Sequence, residues 1–169
     1  QMLMAPVGGA AVDPERVFMA GHSLGGMTAV ALAGGRYDPA KADAHCAGTP
    51  ADLTCDTLAG WHVGETPADE AAMSVDLSDP RIRGVAVFDL GGTQTFSTAS
   101  LAAISRQMLV IGAPRDGDKT GLDLDAESRT LAAALPKGVV TYLEPETLSH
   151  FDFLGLCTRD ALEILREEE

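Results

Sequence analysis

Gly21-His22-Ser23-Leu24-Gly25-Gly26 follows a short apolar run at residues 17–20 and opens an alanine-rich segment at residues 24–33. This order predicts a strand, a sharp turn and a helix, with the serine at the turn. A serine hydroxyl is a poor nucleophile until it is held clear of its own backbone and close to a base, and such a turn exposes it in that way. The glycines on both sides leave room where side chains would collide across the turn. We therefore predict a nucleophile elbow centred on Ser23.

A candidate base lies far along the chain from this serine. His150 follows the last run of residues with a strand pattern, at residues 139–143, and precedes an apolar and acidic segment. An imidazole titrates near neutral pH, so it can accept the proton of a serine and pass it to a leaving group. The order of nucleophile, acid and histidine along the chain is the order found in hydrolases with this type of elbow. The sequence therefore predicts His150 as the general base.

The elbow and the segment Ser149-His150-Phe151-Asp152-Phe153-Leu154 together resemble the α/β-hydrolase superfamily. Within it, the chain looks most like the esterase branch that holds dienelactone hydrolases, platelet-activating-factor acetylhydrolases and chlorophyllases. The resemblance covers most of the chain from Asp13 onward, and it implies a Ser-His-Asp triad without an organic cofactor. It also implies an oxyanion hole that uses the backbone N–H of Leu24 and a second donor from a loop after an earlier strand.

Two aspartates occupy places that the superfamily uses for the acid of the triad. Asp89 ends the apolar run at residues 81–89, and the acid of the acetylhydrolase and chlorophyllase branches resembles this placement. Asp116 follows the next apolar run, at residues 108–112, and resembles the acid of most other relatives, including dienelactone hydrolases. Either carboxylate could orient the imidazole and stabilise its positive form. We take Asp89 as the leading candidate and Asp116 as the alternative.

The segment from Asp116 to Glu127 also has the spacing of a calcium-binding loop. Asp116, Asp118, Thr120 and Glu127 place oxygen atoms at loop positions one, three, five and twelve, with glycine at position six. The match is imperfect, because Asp123 stands where such loops carry an apolar residue and a strand replaces the entering helix. The alternative is an acidic, solvated loop with no metal, in which Glu127 lies on the polar side of a helix at residues 126–135.

The rest of the chain alternates between apolar, β-branched runs and helical segments, which is typical of a parallel sheet covered by helices. We predict strands at residues 16–20, 81–89, 108–112 and 139–143, and helical segments at residues 24–33, 101–104, 126–135 and 159–166. The superfamily has several strands before the nucleophile strand, and only residues 1–15 precede it here. The expected fold is therefore a single α/β unit over residues 1–169, the C-terminal part of an α/β-hydrolase fold. An N-terminal fragment or chain would complete its sheet.

Residues 36–80 form a long stretch with several prolines and acids and the single tryptophan. We predict an irregular loop and cap insertion over the active site, since long loops inside a domain are commonly functional. Trp61 and Met73 are candidate substrate contacts, although packing is an equal explanation for the tryptophan. His22, beside the nucleophile, is a further candidate for substrate binding or for shaping the elbow.

The net charge of the chain indicates which binding partners to expect, and its cysteines indicate the cellular compartment. A net charge of −13 argues against nucleic acids and anionic membrane surfaces, which require clustered lysine and arginine. The sequence has no apolar run of the roughly 20 residues that would span a bilayer. Cys46 and Cys55 lie close together and suit a short disulfide, which leaves Cys157 free or paired with another segment. A secreted or periplasmic location follows from a disulfide, and reduced thiols in the cytoplasm are the alternative.

These features predict a serine hydrolase that cleaves carboxylic esters through an acyl-enzyme, on a small-molecule or polymeric ester. Two alternatives stay open. An acyltransferase on the same scaffold would differ in excluding water from its second step. A non-catalytic binding piece would keep the elbow for packing and would need an N-terminal partner chain.

Overall fold

Four parallel strands form a single sheet in the computed structural model, which describes residues 13–115 and 121–155. The strands lie in chain order: β1 (Val17–His22), β2 (Ile82–Phe88), β3 (Gln107–Ile111) and β4 (Val140–Leu143). Helices connect them, so the predicted α/β class is confirmed. The strands depart from the predicted ranges by one or two residues at their ends, where strand boundaries are least determined by sequence.

The register aligns the carboxyl ends of the four strands. His22 pairs with Phe88, Phe88 with Ile111, and Ile111 with Leu143, so the last residues of all four strands form one row across the sheet. Ser23 and Asp89 are the next residues along β1 and β2. The strand pairing therefore brings these two predicted site residues to the same edge of the sheet.

Helix α1 (Leu24–Ala33) follows β1 over the predicted range. It is rich in alanine, a strong helix former. Gly34 follows its last residue with a φ of 122° and donates its N–H to the carbonyls of Val30 and Ala31, which ends the helix. Gly26 lets it pack against the chain after β2, since an added Cβ there would lie 2.6 Å from Leu90 Cβ. The helix thus holds the serine turn firmly against the sheet.

Residues 36–80 are not irregular as predicted, because they contain three short helices: α2 (Pro39–Gly48), α3 (Leu53–Gly60) and α4 (Pro67–Met73). Each begins at a side chain that accepts backbone N–H groups of the first turn, namely Asp38, Asp52 and Thr66. Such caps stabilise short helices whose apolar pattern is weak, so apolar periodicity alone does not indicate these helices. The disulfide between Cys46 and Cys55 joins α2 to α3, as predicted.

The core lies on one face of the sheet. Val87 and Val110, in the central strands, are completely buried there against α1, against α5 (Thr98–Ala102) and against α6 (Thr130–Ala134). A π-helical turn at Asp125–Arg129 leads into α6, so the helix predicted at residues 126–135 divides into two kinds of helical turn. The helix predicted at residues 159–166 lies outside the described residues.

The other face of the sheet is largely open. Phe18 on β1 is 67% exposed, and a groove of about 410 Å³ runs across the four strands between Phe18 and Thr141. Parallel sheets ordinarily have both faces covered, which makes this open face unusual. At its carboxyl end, Phe153 covers part of it by stacking on Phe88, with ring centroids 5.3 Å apart. None of the helices in the described ranges is long and apolar enough to cross a membrane.

Candidate active site

Ser23 occupies a strained turn between β1 and α1. Its φ of 56° and ψ of −126° are unusual for a residue with a side chain, and its N–H donates to the carbonyl of Phe88 at 3.0 Å. The turn is so tight that a Cβ at Gly21 would lie 1.9 Å from the carbonyl oxygen of Gly25. The predicted strand, turn and helix around the serine are therefore confirmed, together with the reason for the glycines.

Asp89 and His150 form a buried hydrogen-bonded pair at the same edge of the sheet. Nδ1 of His150 donates to Oδ2 of Asp89 at 2.7 Å, and each residue is 5% exposed. The other carboxylate oxygen, Oδ1, accepts the backbone N–H of Ala113 at 2.9 Å. The backbone of Asp89 has a φ of 41° and donates its N–H to the carbonyl of Ile111 at 2.7 Å. Both oxygens of the Asp89 carboxylate thus accept hydrogen bonds, and Nε2 is the ring nitrogen of His150 that is left to accept a proton.

A short 3₁₀ turn, His150–Phe153, carries the histidine. Asp152 closes this turn by accepting the N–H of Ser149 at 2.8 Å, and Arg115 donates to the same carboxylate at 2.9 Å. The Ser149 N–H is the main cause, and the positive charge of Arg115 a lesser one, of a pKa of Asp152 below its ordinary range. Arg115 thereby connects the chain after β3 to the histidine turn, a contact that the sequence analysis missed.

His22, the last residue of β1, contacts His150. Its Nε2 donates to the carbonyl oxygen of His150 at 2.7 Å, and the two rings lie 4.4 Å apart. Burial is the largest cause of a lowered pKa of His22, and the nearby charge of His150 adds to it. The lowered pKa favours the neutral ring, which donates one hydrogen bond to the backbone carbonyl of His150. A contact between His22 and substrate stays a prediction.

The side chain of Ser23 is less constrained than the Asp89–His150 pair. Within residues 13–115 and 121–155, the hydroxyl of Ser23 makes no hydrogen bond, and the N–H of Leu24 at the start of α1 has no acceptor. The first N–H groups of a helix lack partners inside the helix, so the Leu24 N–H can receive a ligand oxygen. Catalytic hydrogen bonds are often loose before substrate binds.

Glu127 is not on a polar surface as predicted. It is 2% exposed, and its two carboxylate oxygens accept the N–H groups of Gly92 at 3.0 Å and Thr93 at 2.6 Å. Burial is the largest cause of a pKa of Glu127 above its ordinary value of 4.5. The prediction from α-helical periodicity placed Glu127 on the wrong face of the helix, because a π-helical turn before α6 changes which side chains point inward.

The remaining predicted residues fall into two groups. Asp116, Asp118 and Thr120 lie outside the described residues, so the alternative acid and the calcium hypothesis remain predictions. Trp61 follows α3 and is 65% exposed, and its contact with substrate also remains a prediction. Met73, at the end of α4, lines an apolar cavity of about 200 Å³ between that helix and α1.

One group of side chains in the described ranges has the spacing of metal ligands: His45, Asp52 and Cys55, whose ligand atoms lie within 4.8 Å of one another. The sulfur of Cys55 is bonded to Cys46, however, so it is not a thiolate. Asp52 caps α3 and pairs with His45 at 3.3 Å. These contacts account for the cluster as a structural tie between α2 and α3.

Comparisons of the chain with known protein families, with curated proteins and with solved structures found no match. The α/β class therefore stands on the sheet and its helices. Any function has to be argued from the geometry around Ser23, Asp89 and His150.

Proposed function

We propose that this chain carries the catalytic residues of a serine esterase. The observation that supports the proposal is the buried Asp89–His150 hydrogen bond of 2.7 Å at the edge of the sheet where Ser23 is held in a strained turn. A carboxylate that binds Nδ1 of an imidazole fixes its tautomer and leaves Nε2 as a base. A serine exposed by a strand-to-helix turn is the usual partner of such a base.

In the first half-reaction, Oγ of Ser23 attacks the ester carbonyl carbon and its proton passes to Nε2 of His150. The carbonyl electrons move to the oxygen, which the N–H of Leu24 stabilises. When the tetrahedral intermediate collapses, the C–O bond to the alcohol breaks, and His150 returns the proton to the departing alcohol. The products of this half-reaction are the free alcohol and an acyl-serine.

In the second half-reaction, His150 takes a proton from water and the resulting hydroxide attacks the acyl-serine. Collapse of the second tetrahedral intermediate releases the carboxylic acid and returns the proton to Ser23. Asp89 stabilises the imidazolium in both halves without itself becoming protonated. A neutral ester suits the chain's net charge of −13 better than an anionic one.

A second polypeptide segment is part of the proposal. The open face of the sheet, with Phe18 67% exposed, is the kind of surface that another layer of structure covers. A second donor for the oxyanion would come from the same added segment, beside the Leu24 N–H. The disulfide between Cys46 and Cys55 is weakly compatible with an oxidising compartment, so we place the enzyme outside the cytoplasm.

The test is covalent labelling with a fluorophosphonate, followed by intact and peptide mass spectrometry. The purified native protein should take up one phosphonyl group on Ser23, and the Ser23→Ala variant should take up none. Measurements with and without reductant will show whether a partner segment is attached through a disulfide. Equal labelling of the two proteins, or no labelling of a native protein whose partner segment is present, would refute the esterase proposal.

A further inference from the structure

Glu127 is a buried carboxylate that the proposed chemistry does not use. Its side chain comes from the π-helical turn before α6 and reaches the chain that follows β2. Both oxygens accept backbone N–H groups there, from Gly92 and Thr93. Burying a charged carboxylate is costly unless it is hydrogen-bonded, and the raised pKa of Glu127 reflects that cost. The two hydrogen bonds that offset this cost fix the backbone at Gly92 and Thr93.

The chain that Glu127 holds is the loop that leaves Asp89. Residues 90–92 are buried, and Gly92 has a φ of 92°, a left-handed conformation that suits glycine. The loop then enters a 3₁₀ turn at Thr93–Thr95. A second tie joins the same two segments, because Nε2 of Gln94 donates to the carbonyl of Ala126 at 2.6 Å.

Asp89 needs such support, because its own backbone is strained. A φ of 41° in a residue with a side chain is a strained conformation, which persists only where the surroundings hold it. On one side, the N–H of Asp89 is held by the carbonyl of Ile111. On the other side, Leu90 is completely buried, and Glu127 fixes the chain at Gly92 and Thr93.

We propose that Glu127 is a positioning residue, which fixes the loop after β2 so that the carboxylate of Asp89 meets Nδ1 of His150. Its importance for catalysis rests on the proposed esterase function, but the geometric claim does not. The role also opposes the calcium hypothesis for this residue, because both of its oxygens already accept hydrogen bonds from the protein.

The experiment compares Glu127→Ala and Glu127→Gln with Asp125→Asn, a control two residues away in the same turn, where the carboxylate is exposed and pairs with Arg129. A single glutamine oxygen can accept one of the two N–H groups, and its NH₂ group opposes the other. The first readout is the downfield proton NMR signal of the His150–Asp89 hydrogen bond. The second is the rate at which a fluorophosphonate labels Ser23.

Glu127→Ala should lose the downfield signal and label about a hundredfold more slowly, as expected for a misplaced catalytic group. Glu127→Gln should label about tenfold more slowly, which corresponds to the loss of one hydrogen bond to a charged acceptor. Asp125→Asn should match the wild type in both readouts. Because Glu127→Ala leaves two buried N–H groups without acceptors, Glu127→Gln decides the question if the alanine variant does not fold.

The proposal is overturned if Glu127→Gln and Asp125→Asn give the same signal and the same labelling rate. It is also overturned if the wild type lacks the downfield signal, since there would then be no ordered pair to position. The two proposals fail in different ways. If the wild type is not labelled at Ser23 but Glu127→Ala still loses the signal, the esterase function is wrong and the positioning role stands.

Discussion

The two halves of the candidate site differ in how firmly the protein holds them. In the acid–base half, the Asp89–His150 pair is buried. Ala113 and His22 contact the pair directly, and Glu127 holds the loop that follows Asp89. In the nucleophile half, the strained backbone of Ser23 is fixed by the turn, but its hydroxyl makes no hydrogen bond in the described part of the chain.

This difference indicates what each half requires from outside the chain. The contacts of the acid–base half come from Asp89 after β2, Ala113 after β3 and His150 after β4, which all lie in the described ranges. The nucleophile half needs an ester and a second oxyanion donor, and in our proposal the donor comes from the segment that covers the open face. In the proposal, the described residues supply the first half, and the second half depends on the added segment.

The largest expected effect comes from breaking the acid–base half with Asp89→Asn. Asparagine tolerates the left-handed backbone, so the fold should persist, but its NH₂ group would face Nδ1–H and disfavour the required tautomer. We expect kcat/KM for a chromogenic ester to fall by about 10 000-fold with the melting temperature little changed. The assay should use the assembled protein, with the rate of the Ser23→Ala variant as the background.

Asp116→Asn is the matched variant, since Asp116 is the alternative acid from the sequence. It should retain wild-type kcat/KM if Asp89 serves His150. A loss of several orders of magnitude in Asp116→Asn, with a small loss in Asp89→Asn, would exchange the two assignments.

A smaller effect is expected from His22→Phe, which tests the contact between the two halves. Phenylalanine keeps a ring beside His150 and Phe153 but cannot donate to the carbonyl of His150. One hydrogen bond contributes about 1 kcal/mol, so labelling of Ser23 should slow about fivefold. His62→Asn, at an exposed histidine in a left-handed conformation, is the control and should have no effect. A hundredfold loss in His22→Phe would instead favour direct contact with substrate.

The smallest effect is a pH dependence of stability that isolates Glu127. Burial raises its pKa in the folded protein above the ordinary value of 4.5, so the folded state binds the proton more tightly than the unfolded state. The wild type should therefore gain stability relative to Glu127→Gln as the pH falls from neutral towards 4.5. The gain should stop below that pH, where the unfolded state is protonated as well. Urea unfolding of both proteins between pH 4 and pH 8 measures this difference, and a difference that grows with rising pH would contradict it.

Much of the sheet could be predicted from sequence, because each strand is a short apolar run bounded by turn residues. The sequence predicts helix α1 residue for residue, since the turn at Ser23 marks its start and Gly34 its end. The helices α2, α3 and α4 were missed, because their stability comes from capping side chains and not from an apolar stripe. The signals were present as Asp38-Pro39, Asp52 and Thr66-Pro67.

The site divides in the same way. A short motif and the chain order indicate Ser23 and His150 as candidates. The sequence left Asp89 and Asp116 open, because both follow apolar strands and the choice depends on three-dimensional placement. Glu127 and Arg115 act through the backbone of one loop and the side chain of another, and no local pattern in the sequence marks such contacts.

Because His22, Phe88, Ile111 and Leu143 form one row, the three candidate site residues come together only when the sheet is assembled. The serine and the aspartate follow the first two of these strands, whereas the histidine follows the fourth. If the chain were cut between β3 and β4, neither piece would hold all three residues. Under the proposed esterase function, labelling of the serine after the pieces are mixed would then measure the docking of β4 against β3.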